Sequence, residues 1–159
     1  MSRIVINRGK LMKYILALFV LLLADAACAT SVPLKPLEEM VREADHVVVA
    51  TVESVDMVGG RGEPITDPKA RTGPGSKNRM RFNLRVQELL FTRSPALPPT
   101  LRVPLWTAWH YELGDIQEQA TGSTGIFLLK GEDYQPVYPA DFQRPLDERK
   151  EIERLLRPR

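Results

Sequence analysis

The sequence predicts a mainly β domain, a small antiparallel barrel or curled sheet with one helix leading and one trailing. Three observations carry that prediction. A β-branched run, Val47-Val48-Val49, opens a long apolar segment from His46 to Val58. From Arg79 the residues alternate, with Met80, Phe82, Leu84 and Val86 on one face and Arg79, Arg81, Asn83, Arg85 and Gln87 on the other. The later apolar segments are short and separated by Gly- and Pro-rich turns. Period-two alternation marks a half-buried antiparallel strand, and hairpin-length connections join antiparallel neighbours.

The chain begins with Arg3, Arg8, Lys10 and Lys13, followed by an apolar run from Tyr14 to Leu23. That run is about half the ~20 residues a membrane span requires. Ala24-Asp25-Ala26 and Ala27-Cys28-Ala29 follow, both of the small-x-small form that signal peptidase reads. Residues 1–29 are therefore expected to be a signal peptide, cut after Ala29 to leave Thr30 first, and Met12 offers a second start within it. Cys28, the one cysteine, opens an alternative: cleavage before it and lipidation of its sulfur, although Asp25 stands where that signal wants a Leu-like residue. Residues 30–159 are then a single exported domain, periplasmic or secreted, or an outer-membrane lipoprotein in the alternative. A domain without cysteine outside the cytoplasm must rely on a conventional core.

Within that domain, Leu37, Met40, Val41 and Ala44 form one helical stripe, with Pro36 suited to the first helical position and Glu38 and Glu39 favoured by the helix dipole. In the strand from His46, the inward set Val48, Ala50, Val52 changes phase to Val55 and Met57, which predicts a bulge near Glu53-Ser54. Gly59 to Ser76 has almost no periodicity and is expected to be a long exposed loop, either mobile or functional. After the Arg79 strand, Leu101, Val103 and Leu105 alternate inward between Thr100 and Trp106, and Pro104 confines that strand to an edge or bulge. Residues 107–123 read as loop. Thr124 to Lys130 reads as a buried strand, Gly131-Glu132-Asp133 as a turn, and Tyr134 to Tyr138 as a short return strand. Pro145 opens a helix to about Leu156, with Ile152, Leu155 and Leu156 as its apolar edge and Asp147/Lys150 and Glu153/Arg157 spaced to pair.

The segment from Leu37 to Val52, a helix ending in Ala44-Asp45 that leads into a Val-rich strand, resembles the opening of small exported bacterial domains with an OB-like barrel. The strand Gly125 to Leu129 fits the same pattern, and the netrin-like domain of metalloproteinase inhibitors has a comparable order of elements. The resemblance implies fold. That inhibitor family begins at a disulfide-bonded cysteine whose amino group engages a metal, and Thr30 stands in that place here, so inhibition by that route is not implied.

Charge narrows the partners. The 159-residue chain carries a formal +2, but the four basic residues of the leading segment face only Asp25, so the remainder is close to neutral. Nucleic-acid binding needs a broad positive field, and it is not expected here. No cofactor motif is present: Gly59-Gly60-Arg61-Gly62 lacks the ending of a phosphate loop, and Gly122-Ser123-Thr124-Gly125 lacks the spacing of a nucleophile elbow.

Four aromatic-segment residues and three arginines are the candidate binding residues. Trp106, Trp109 and Tyr111, with His110 among them, sit at the end of the edge strand, and large aromatics dominate interfaces and cores alike. Arg79, Arg81 and Arg85 share a strand face, free to meet an acidic partner, a lipid headgroup or a polyanionic polymer, or else neutralised by cross-strand carboxylates. His46, at a helix-to-strand junction, is expected to be a partly exposed structural residue. The expectation is a non-enzymatic, exported binding module that recognises another envelope protein, of inhibitor or immunity type. The alternatives are an envelope enzyme using His110 with Asp115 or Glu118, and a glycan- or lipid-binding domain; Asp115, Glu118 and Asp141 are the carboxylates that could work in a pair. No membrane span is expected after cleavage.

Overall fold

The computed structural model describes residues 32–157. The expected signal peptide, its cleavage site and Cys28 lie outside the described residues.

The elements run α1 (Leu37–Glu43), β1 (His46–Val58), β2 (Pro64–Ile65), β3 (Arg79–Thr92), β4 (Thr100–Pro104), α2 (Leu113–Ala120), β5 (Thr124–Lys130), β6 (Gln135–Pro136), β7 (Gln143–Arg144) and α3 (Arg149–Leu156). All strands pair antiparallel in one sheet of order β4-β3-β1-β5-β6, with β2 on β1 and β7 on β5. The outer strands β4 and β6 approach each other without pairing, so the sheet curls but stays open. The curled sheet with terminal helices is thus the form the chain adopts, and a closed barrel is not.

The Val-rich start of β1 explains the layering. Val48 and Ala50 face one side and Val47 and Val49 the other, all buried. Phe127 and Leu129 join the first set, with Met80, Phe82, Leu84, Leu101 and Val103, to fill the inside of the curl. Ile126 and Leu128 join the second, and Met40, Val41 and Ala44 of α1 and Ile152 of α3 cover that face. A strand buried on both faces needs apolar residues at every position, and β1 has them from Val47 to Ala50 and β5 from Gly125 to Leu129.

Three register shifts bend the β1–β3 ribbon. Glu53 is the extra residue on β1, where the phase change predicts it. Leu90 and Gln87 are extra on β3, a pair of bulges that an apolar run does not signal. β4 is an edge strand, as its proline requires. Gly125 lets β7 approach: a Cβ there would lie 2.9 Å from the Arg144 carbonyl oxygen.

Several expectations need correction. Residues 107–123 are not all loop, because Leu113–Ala120 is helical. Its first amides are satisfied by neighbouring carbonyls, Leu113 N–H to Ala70 and Gly114 N–H to Pro68, in place of a capping side chain. Gly59 to Ser76 is mostly exposed, as expected, but it carries the short strand β2 and is anchored to the domain. Gly59 N–H donates to Glu63 across a tight turn into β2, and Thr72 and Gly73 are buried. Pro36 caps α1 from outside rather than opening it, and the last helix starts at Arg149 after a separate 3₁₀ turn, Leu146–Glu148. Its wet face carries Arg149–Glu153 and Glu151–Arg154 pairs.

His46 is buried, not partly exposed. Its Nε2–H donates to the Gly131 carbonyl at 3.2 Å, which leaves Nδ1 to accept from the Thr92 hydroxyl at 2.9 Å. Asp45 beside it accepts the Gly131 N–H at 2.9 Å and pairs with Arg93. This Asp45-His46 knot ties the start of β1 to the ends of β3 and β5.

Candidate binding site

The aromatic segment after β4 forms a ridge. Trp106 and Trp109 meet edge to face with centroids 5.1 Å apart, and Trp109 meets Tyr111 the same way at 6.0 Å. Trp106 is the exposed end, while Trp109 and Tyr111 are half-buried. Burial pushes the Tyr111 phenol up from its ordinary pKa.

What holds this ridge is the long Gly/Pro segment that precedes β3. Thr72, buried, donates its hydroxyl to the Trp109 carbonyl at 2.9 Å and accepts the Tyr111 N–H at 3.2 Å. Its own N–H donates to the Tyr111 carbonyl at 3.0 Å. Next to it Arg71 pairs with Glu112 through Nε at 2.8 Å. Gly73, with φ of 144°, lies so close to the His110 ring that a Cβ would collide with it. The loop is therefore a brace: its backbone and one hydroxyl fix Trp109 and Tyr111, and Trp106 is held through its ring contact with Trp109. Sequence periodicity cannot signal this, because the contacts are backbone hydrogen bonds of an irregular segment.

Two clefts flank the ridge. The first, about 290 Å³, lies in the gap between the β4 and β6 edges and is lined by Arg79, Pro104, Trp106, Gln135 and Pro136, among others. The second, about 500 Å³, lies between α2 and the segment before β7, where Phe82, Trp109, Tyr111, Ile116, Asp141 and Phe142 contribute to its lining. Leu105 and Pro139 belong to both.

The free edge of β4 is poorly suited to adding a strand. Leu105 N–H donates inward to Met80, so by alternation Thr100, Arg102 and Pro104 carry the outward backbone groups, and Pro104 has no N–H to offer. Recognition at this edge must come from side chains.

The arginine face divides. Arg81 forks onto Asp56 at 2.7 and 3.1 Å, and Arg85 pairs with Glu53 at 2.8 Å. Arg79 reaches the first cleft instead. Burial would push the Asp56 carboxyl up, but hydrogen bonds from Arg81 and Asn83 outweigh it and hold the group below its usual range. A carboxyl depressed in the folded state contributes stability that is present above its unfolded pKa of about 4 and lost as pH falls through the folded value. Asp56→Asn is accordingly expected to lower stability at pH 7 and to leave a smaller further loss between about pH 5 and 2 than wild type shows, measured by urea midpoints across that range.

His110 is exposed, and neither it nor Asp115 nor Glu118 lines either cleft. Asp141 lines the second cleft apart from them, and Ser123 is a loop residue entering β5 that also lines it. Among the described residues no three His, Cys, Asp or Glu side chains gather as a metal-holding group, and no helix is long and apolar enough to cross a membrane. No protein-family model, curated protein or solved structure matches this chain.

Proposed function

We propose that the chain is an exported, non-enzymatic binding module that docks another cell-envelope protein on the Trp106–Trp109–Tyr111 ridge. The observation that carries this is pre-organisation. Three aromatic side chains meet edge to face, two of them on backbone that Thr72 braces, and clefts flank them on both sides. Rigid aromatic anchors contribute most to protein recognition, because they bury large area and freeze few rotamers on binding. The blunted β4 edge adds to the case, since it favours a side-chain-mediated contact over strand addition. Export rests on the basic, apolar and small-residue pattern of residues 1–29.

The test is affinity capture with the C-terminally tagged chain from the envelope of the producing organism, with wild type and Trp106→Ala run in parallel. Trp106 is 38% exposed and packs on Trp109, so its removal is expected to lower the unfolding midpoint moderately and to leave the domain folded under the capture conditions. The variant is expected to bind the captured partner at least about 30-fold more weakly, as loss of a 2 kcal/mol anchor requires. A stoichiometric protein retained by wild type and lost by the variant is the expected result. Retention of glycan or lipid alone would contradict the protein-binding role.

A further inference from the structure

We propose that the second cleft receives a basic side chain, a lysine or arginine presented by the partner protein. Phe82, Trp109, Tyr111 and Phe142 contribute aromatic surface to its lining, and Asp141 is the one ionisable acid or base there besides the Tyr111 phenol. A basic side chain suits both halves of such a lining: its apolar stem packs on rings, and its charged head is attracted by ring quadrupoles and by a carboxylate.

The charge of Asp141 is available to an incoming cation. Its nearest cationic neighbour is Arg144, with Nη1 at 3.9 Å from Oδ1, beyond hydrogen-bonding reach. The Arg144 fork is engaged by Glu148 instead, at 2.8 and 2.6 Å. The first cleft has the opposite sign, with Arg79 the one ionisable residue of its lining. A partner with a basic residue on one side of its contact and an acidic one on the other would be held in a single orientation across the ridge.

Asp141 also provides a clean variant. Its φ of 60° is left-handed, a conformation that Asn adopts as readily as Asp, so Asp141→Asn removes the charge and keeps the backbone. The probe is N-acetyl-lysine N-methylamide, titrated into the full chain against N-acetyl-norleucine N-methylamide, which has the stem without the ammonium. The readout is the indole N–H resonance of Trp109, assigned with Trp106→Phe because the chain has two tryptophans.

The capped lysine is expected to shift that resonance saturably and about tenfold more tightly than the capped norleucine, with the advantage lost in Asp141→Asn. Equal binding of the two probes, an unchanged Asp141→Asn variant, or no saturable shift would each overturn the proposal. The protein source of the cation rests on the binding role proposed above, and the two fail differently. A captured partner that binds Asp141→Asn as tightly as wild type, yet loses Trp106→Ala, overturns the basic-side-chain cleft and leaves the binding module standing. Absence of any captured partner overturns the module, while the probe titration still reads the preference of the cleft.

Discussion

Phe127→Ala is expected to destabilise the fold by about 3–5 kcal/mol, seen as a lower urea midpoint with little change in slope. Phe127 is fully buried at the centre of β5, opposite Val48 of β1, in the middle of the inner core. Its ring sits 6.1 Å from that of Phe142, which lies 6.3 Å from Phe82. Truncation removes the ring and leaves a cavity that sheet hydrogen bonds on either side prevent from collapsing. Since domains of this size have a total stability of about 5–15 kcal/mol, the loss is a large share of the whole. Phe142 and Phe82 also line the second cleft, so the same variant should loosen that lining. Phe127→Leu, which retains most of the volume, is expected to lose markedly less.

The second large effect concerns His46. His46→Ala is expected to lose about 2–4 kcal/mol, from a cavity beside Tyr134 and two stranded partners. The imidazole meets the Tyr134 ring edge to face at 5.3 Å, and both nitrogens are bonded, to Thr92 and Gly131. His46→Phe separates the two contributions. It fills the space and keeps the ring contact, yet leaves the Gly131 carbonyl and Thr92 hydroxyl without the imidazole. If the knot matters through its hydrogen bonds, His46→Phe should recover only part of the loss in thermal unfolding. Full recovery would reduce His46 to a packing residue.

The parts of the fold legible in the sequence are those whose burial repeats with a period. β1 and β3 run as the β-branched run and the alternation predict, and even the bulge at Glu53 shows as a phase change. What escaped depends on contacts that leave no period. The helix Leu113–Ala120 has a half-hidden stripe, Leu113, Ile116 and Ala120, but it lacks a capping side chain because Pro68 and Ala70 carbonyls from a distant loop take its first amides. The two-residue strands β2, β6 and β7 are too short for alternation to mark.

The candidate site was legible in its aromatics and illegible in its setting. Trp106, Trp109 and Tyr111 stand out by residue type. Nothing local to them reveals that Thr72 braces Trp109 and Tyr111, or that Asp141 and Phe142 close a cleft on their far side. The arginine face shows the reverse. Its residues point together as alternation predicts, but Asp56 and Glu53 on the neighbouring strand engage two of the three, and the register that brings them there depends on the bulge.

The most direct test of the central claim is the affinity of the captured partner for purified wild-type chain and for Trp106→Ala, measured by calorimetry beside an unfolding curve for each. A binding ridge predicts two proteins that are both folded at the measuring temperature, with an affinity at least about 30-fold weaker for the variant. Equal affinities for two equally folded proteins would contradict it and place the interface elsewhere on the molecule.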